Sequence, residues 1–284
     1  MTTQYEFLPV QRVARQGGKT VAGAGIRLRW DLLIFVVAVA ISLSTGFQAV
    51  SHSSYWSIAQ VFGEFMNSPL RLLFPVAAAL AAGMRTAEEL SHRFVANTRT
   101  RADIRQRLTR RCSEAFARVF LTFALVALIN AVAAFVIVPA LWPHTIDPTS
   151  YGLSSADAVR EADISAAPLT AALQFGPVVF SLVAAAWFGV NAAIFGIVAV
   201  LAVLIIRRAV LALLFPLALH LVESLFFQLL DMPGWSFLVS AVYPTGLQHY
   251  DPVQALCPTA CLGVLTVIGV AVFVARSRTS PRMS

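Results

Sequence analysis

The chain has 284 residues, of which 58% are hydrophobic and only 12% charged, about half the charged share of an ordinary soluble domain. Several apolar runs approach the roughly 20 residues that cross a bilayer. A soluble fold is thereby excluded, and a multi-pass, all-α integral membrane protein is the class that remains. The formal charge of +7 does not mark a nucleic-acid binder, because the basic residues follow a pattern of membrane sidedness. Of 21 Lys and Arg, all but Arg71 and Arg160 fall on one side when six spans are drawn.

In chain order, residues 1–29 form a polar, basic segment without the short apolar core or small-residue cleavage site of a signal peptide. Trp30 to about Val50 is the first expected span, an uncleaved anchor with Trp30 at the interface. Ser51 to Ser68 is short and mixed, and its apolar set Ile58, Val61, Phe62 and Phe65 suits an interfacial helix. Pro69 to Met84 makes the second span, with Pro75 tolerated inside it. Arg85 to Arg118 then holds nine arginines and four acids between two hydrocarbon runs. Positive charge is retained in the cytosol, so this arm reads as cytoplasmic. Ile104, Leu108, Cys112, Ala115, Phe116 and Val119 recur at helical spacing, with the arginines mostly elsewhere on the wheel. That spacing predicts an amphipathic helix running into a third span, Val119 to Leu141. Such a helix can also simply rest on anionic headgroups.

Residues 142–170 form an acidic outer loop, with Asp147, Asp157, Glu161 and Asp163 against Arg160. From Thr170 to Ile206 hydrophobicity is continuous. Two short spans turning at Gly189-Val190-Asn191 would give seven crossings. One long span, broken near Gly176-Pro177 and ending at Arg207-Arg208, keeps the basic turn and tail inside and gives six. Six is the reading adopted. Ala209 to Leu230 is the fifth span, with Pro216 in it. Residues 231–252 lie outside, and the apolar piece Trp235 to Tyr243 is too short to cross, as in a re-entrant or interfacial segment. Val253 to Ala275 is the sixth span. Domains therefore reduce to a basic segment, 1–29, and a six-span unit, 30–284, with both termini cytoplasmic.

Few residues could carry chemistry. Glu223 is an acid in mid-span with His220 one turn earlier and Ser224 beside it. Intramembrane ionisable groups face an interior or a cavity, so these three, with Asn130 in the third span, are candidates for a substrate path or subunit interface. The competing reading is a neutralised His220–Glu223 pair, i and i+3, that locks packing. Asn130 and Asn191 also suit interhelical hydrogen bonds. Gly18-Lys19-Thr20 matches only the end of a phosphate-binding loop, since Val13 stands where its first glycine belongs. Cys257 and Cys261, four apart, read as packing residues. Glu88-Glu89-Leu90-Ser91-His92-Arg93 fits E-E-x-x-x-R of a family of intramembrane peptidases, yet Pro216 precedes His220 where the next motif needs Phe. No second histidine lies within a span, so a convergent ligand set cannot be assembled.

The stretch FPVAAALAAGMRTAEELSHRF, the following R-x-x-x-R-x-R, the stretch WFGVNAAIFGIVAVLAVLIIRRAVLALLFPLALHL and the apolar outer segment before the last span resemble the permease subunit of ATP-binding-cassette exporters of the type-two (type V) class. The resemblance covers the chain from Trp30 onward. It implies a six-span half-transporter in the plasma membrane, paired with a second copy or a similar subunit as homo- or heterodimer. It implies no catalytic residue and no cofactor on this chain, with ATP and Mg held by a separate nucleotide-binding ATPase subunit. Glu88, Glu89, Arg93, Arg101, Arg105, Arg107, Arg110 and Arg111 would transmit the stroke of that partner. Drug, peptide and lipid-like cargo fit the same spans. A non-transporting membrane anchor or sensor is the alternative from another class, and an intramembrane peptidase the remote one.

Overall fold

The computed structural model describes residues 20–91, 104–206, 208–240 and 252–276. The described chain is helical apart from turns and one isolated bridge. In order the helices are α1 (Thr20–His52), α2 (Ile58–Met66), α3 (Leu70–Ser91), α4 (Ile104–Val132), α5 (Val138–Leu141), α6 (Ala156–Ala166), α7 (Pro177–Ile205), α8 (Ala209–Leu229), α9 (Phe237–Ser240) and α10 (Pro252–Arg276). Among the described residues six stretches are long and apolar enough to cross a membrane: Leu32–His52, Leu70–Glu88, Leu108–Leu141, Pro177–Ile205, Ala209–Leu229 and Val253–Arg276. They are spans one to six below.

Span four is the axis of the bundle. Its 29 residues rise about 43 Å at about 1.5 Å each, and it is the most buried of the six, packed by spans two, three, five and six. Small residues on it permit close approach. A Cβ at Gly189 would stand 2.8 Å from the Phe120 carbonyl oxygen, and one at Gly196 would stand 3.1 Å from Ala82 Cβ. The helix runs unbroken through Gly189-Val190-Asn191, so no turn divides it. Its start is set at Gly176, whose φ of 101° is open to glycine and costly for other residues, followed by Pro177 in the first helical turn.

Span three is one rod with the arm that precedes it. α4 begins at Ile104, and a π turn over Ala133–Ile137 carries it into α5. On the arm, Ala115 is buried, Leu108 and Cys112 half-buried, and Arg105 and Arg110 exposed, but Phe116 is exposed as well. Arg110 Nε donates to Glu114 Oε1 at 2.8 Å, one turn on, and Arg111 lies 3.7 Å from Glu114 Oε2. α1 is longer than its span: it is already helical from Thr20, inside the segment read as a polar lead.

The expected interfacial helix is a core helix instead. α2 buries Val61, Phe62 and Phe65 completely, with Phe62 edge-on to Phe180 at 5.5 Å and Phe65 edge-on to Phe47 at 5.1 Å. An apolar stripe of this kind suits a membrane surface and a protein interior equally, and packing decides between them. Ser57 starts the helix by accepting from the Gln60 N–H at 3.3 Å. α2, the 142–176 loop and the 231–240 segment share one end of the bundle, the capped end. The arm and the turn between Ile205 and Ala209 lie at the other, the arm end. At the capped end Tyr55 N donates to the Thr145 carbonyl at 2.8 Å, and Asp147 N to the Tyr55 carbonyl at 2.9 Å. Below, an aromatic core joins Phe74, Phe123, Phe188 and Phe195, with Phe74 stacked on Phe188 at 5.1 Å.

Candidate functional site

Glu223 and Arg71 are ionisable residues within the spans, and both are spent on the same short segment. Glu223 sits near the capped end of α8. Its two carboxyl oxygens accept the Phe237 N–H at 3.1 and 2.9 Å. The Ser224 hydroxyl lies 3.4 Å from Oε2. Arg71, in the first turn of α3, donates from Nε to the Leu238 carbonyl at 2.6 Å. The two side chains therefore hold backbone groups of adjacent residues of α9, Phe237 and Leu238. Phe237, 8% exposed, presses its ring edge-on against Phe195 at 6.0 Å. The start of the expected re-entrant segment is thus a 3-10 turn (Pro233–Trp235) followed by α9. Its remainder, 241–251, lies outside the described residues.

His220 does not pair with Glu223. Its ring is 0% exposed, lies edge-on to Phe195 at 5.8 Å, and neither nitrogen has a hydrogen-bond partner among the described residues. The i, i+3 spacing allowed a pair, but Glu223 turns to the backbone of Phe237, a partner 14 residues away. Asn130, 1% exposed, accepts from Ser42 Oγ at 3.0 Å and sets its amide nitrogen 3.6 Å from Met66 Sδ, tying spans one and three to α2. Asn191 accepts from Thr259 Oγ1 at 2.8 Å, tying span four to span six. Cys257 and Cys261 are free thiols, their sulfurs 3.8 Å apart in a weak hydrogen bond.

The arm residues are split. Glu88 is exposed at the arm end of α3, and Arg105, Arg110 and Arg111 lie on the first turns of α4. Glu89 and Arg107 are placed on α3 and α4, while Arg93 and Arg101 lie outside the described residues. Glu88 and His220 do not converge. Phe74 and His220 both touch Phe195, and Glu88 is 14 residues beyond Phe74 on the same helix, about 20 Å along the axis. No group of three or more His, Cys, Asp or Glu able to hold a metal occurs among the described residues.

A polar cavity at the capped end carries two acids that charge counting alone passes over. About 110 Å³ in volume, it is lined by Trp56, Gln60, Glu64, Asn67, Asp163 and Thr170 among others. Trp56 Nε1 donates to Asp163 Oδ1 at 3.1 Å, and the Ser57 hydroxyl donates to the same oxygen. Burial raises the Asp163 pKa against these two bonds, which lower it, and burial likewise raises that of Glu64. In the sequence Asp163 is one of four loop acids. Its distinction depends on Trp56 and Ser57, more than a hundred residues away.

No protein-family model, curated protein or solved structure matches the chain.

Proposed function

We infer that this chain is the membrane-spanning subunit of an ATP-driven exporter, working at the plasma membrane with a separate nucleotide-binding ATPase subunit that holds ATP and Mg. The observation that carries the reading is the continuity of the arm with span three. A force applied near Arg105 or Arg110 meets no loop before it reaches the long contact between span three and the axial span four. An exposed basic helical end is a suitable docking element for a soluble partner through complementary charge. The chain's basic turns and tail fall on the arm's side when six spans are drawn, which favours a cytosolic arm. Spans one, five and six are largely uncovered by the rest of the chain, leaving faces for a second copy or a similar subunit. Glu88 and Glu89, near the end of α3, complete the coupling surface in this reading.

The test is purification in mild detergent. A phosphate-loop ATPase is expected to copurify in stoichiometric amount and to be lost when Arg105 and Arg110 are both changed to Glu. Purified chain with no ATPase, or an ATPase indifferent to the charge reversal, refutes the coupling role.

A further inference from the structure

Cys257 and Cys261 stand one turn apart near the start of span six, on the side of that helix which the rest of the described chain leaves open. Cys257 is half-buried and Cys261 exposed, and their neighbours on that face, Val253, Val264 and Leu265, are exposed as well. Thr259, between the two cysteines in sequence, is buried and ties span six to span four through Asn191. The helix is therefore anchored by one face and presents two thiols on the other. Neither thiol is in a disulfide, and the sulfurs lie 3.8 Å apart.

Two sulfurs at that separation can share one atom. Bonds of roughly 2.3 Å, the length of a zinc–thiolate bond, meeting at about 95–110° place their sulfurs about 3.4–3.8 Å apart. A two-coordinate ion with linear bonds of the same length would hold them about 4.6 Å apart instead. The pair therefore suits an atom with bent bonds. Cys257 and Cys261 lie about 6 and 12 Å beyond Val253 along the axis, where span six begins, so the shared atom would sit within the apolar layer. Its charge decides what it can be, because an ion there is costly. A metal ion requires both thiols as thiolates, and a zinc centre closed by four thiolates would leave net negative charge in hydrocarbon. A trivalent metalloid hydroxide is uncharged before it binds and uncharged afterwards.

We propose that Cys257 and Cys261 form a chelating dithiol site for a trivalent arsenic or antimony hydroxide. Two sulfur–metalloid bonds form and two oxygen–metalloid bonds break. Each thiol proton leaves with a hydroxyl group as water, the third hydroxyl stays on the metalloid, and the oxidation state does not change. The site stands apart from the exporter reading, and its readout needs no ATPase.

The reduced full chain in detergent is treated with phenylarsine oxide, which condenses with two thiols and releases one water. It is then washed with excess monothiol and weighed by native mass spectrometry. One phenylarsine per chain is expected to survive the wash and to be stripped by a competing dithiol. Cys257→Ser and Cys261→Ser are each expected to lose retention by about a hundredfold, the advantage of a second tethered contact. Each changes a single atom on an open face, so the fold is kept. Cys112→Ser is expected to retain the adduct. Cys261→Ser with Val264→Cys keeps two thiols on the open face but sets them seven residues apart, about 10 Å along the axis, and is expected to fail like the single variants. Sodium arsenite alone is expected to give one adduct per chain that keeps one hydroxyl, and zinc chloride alone to be held less tightly. An adduct that survives the wash in either single variant or in the displaced pair overturns the proposal. Zinc held more tightly than arsenite through both cysteines overturns it too, and would give the pair to a metal ion.

Discussion

Removing the Glu223 carboxyl should release α9 from the capped end of the bundle. In Glu223→Leu the Phe237 N–H, on a residue only 8% exposed, loses the acceptor that stands 2.9 Å away. A buried donor left without a partner costs about 1–3 kcal/mol, which multiplies the population of the detached segment by about 5- to 150-fold. Glu223→Gln keeps an oxygen acceptor at the same reach and should recover most of the loss. Ser236, 1% exposed and next to the bond, is the reporter. With Cys257 and Cys261 replaced by Ser, a cysteine at 236 is labelled by a membrane-impermeant maleimide only when the segment lifts. Labelling should be slow in the parent, close to it in Glu223→Gln, and faster by at least about fivefold in Glu223→Leu. Equal rates in Glu223→Leu and the parent would sink the assignment of Glu223 as the clasp of α9.

Other outcomes follow from the same geometry. Arg71→Met removes the donor to the Leu238 carbonyl, and because both side chains hold one segment, its effect with Glu223→Leu should depart from additivity by about 0.5 kcal/mol or more in the same labelling assay. Gly189→Val drives a side chain against the Phe120 carbonyl and should lower the melting temperature in detergent by an overpacking cost of about 1–3 kcal/mol; an unchanged melting point refutes the close approach of spans three and four. His220→Phe removes two buried nitrogens that bond to nothing described and should leave stability equal or higher, so a loss of transport with stability intact would place His220 on the path and a loss of both would not. Burial raises the folded pKa of Asp163, so the folded state binds its proton more tightly. The stability it contributes is full below the ordinary carboxylate range and fades as pH rises through the raised value. Proteolysis of the 142–176 loop should therefore quicken as pH rises above the ordinary carboxylate range, and Asp163→Asn should flatten that response.

The crossings were legible because bilayer insertion is read from mean polarity along about 20 residues, a local property. The same holds for the stop at Gly176-Pro177 and the turn before Ala209, where glycine, proline and arginine act on their own neighbourhoods. α2 was misplaced for a different reason. Val61, Phe62 and Phe65 specify an apolar face, and nothing within 51–68 says whether lipid or Phe47 and Phe180 will cover it. The partners of the polar residues were also out of reach. Ser42 finds Asn130, Asn191 finds Thr259 and Trp56 finds Asp163 across 68 to 107 residues, pairings that no spacing rule encodes.

His220 and Glu223 show the consequence most sharply. Helical spacing places them on one face, and the local expectation is that they neutralise each other. In the folded chain the acid is drawn to a backbone donor at the start of α9, while the imidazole is fully buried, edge-on to Phe195. A backbone N–H in the apolar interior has no water to turn to, so an acceptor there removes a penalty that pairing with His220 would have left standing. The same argument accounts for Arg71, a basic residue on the sparsely basic side of the chain: besides Asn67 Oδ1 it donates to the neighbouring Leu238 carbonyl, which would otherwise be equally stranded. Glu223 and Arg71 are thus placed by the unmet hydrogen bonds of a segment too short to satisfy its own.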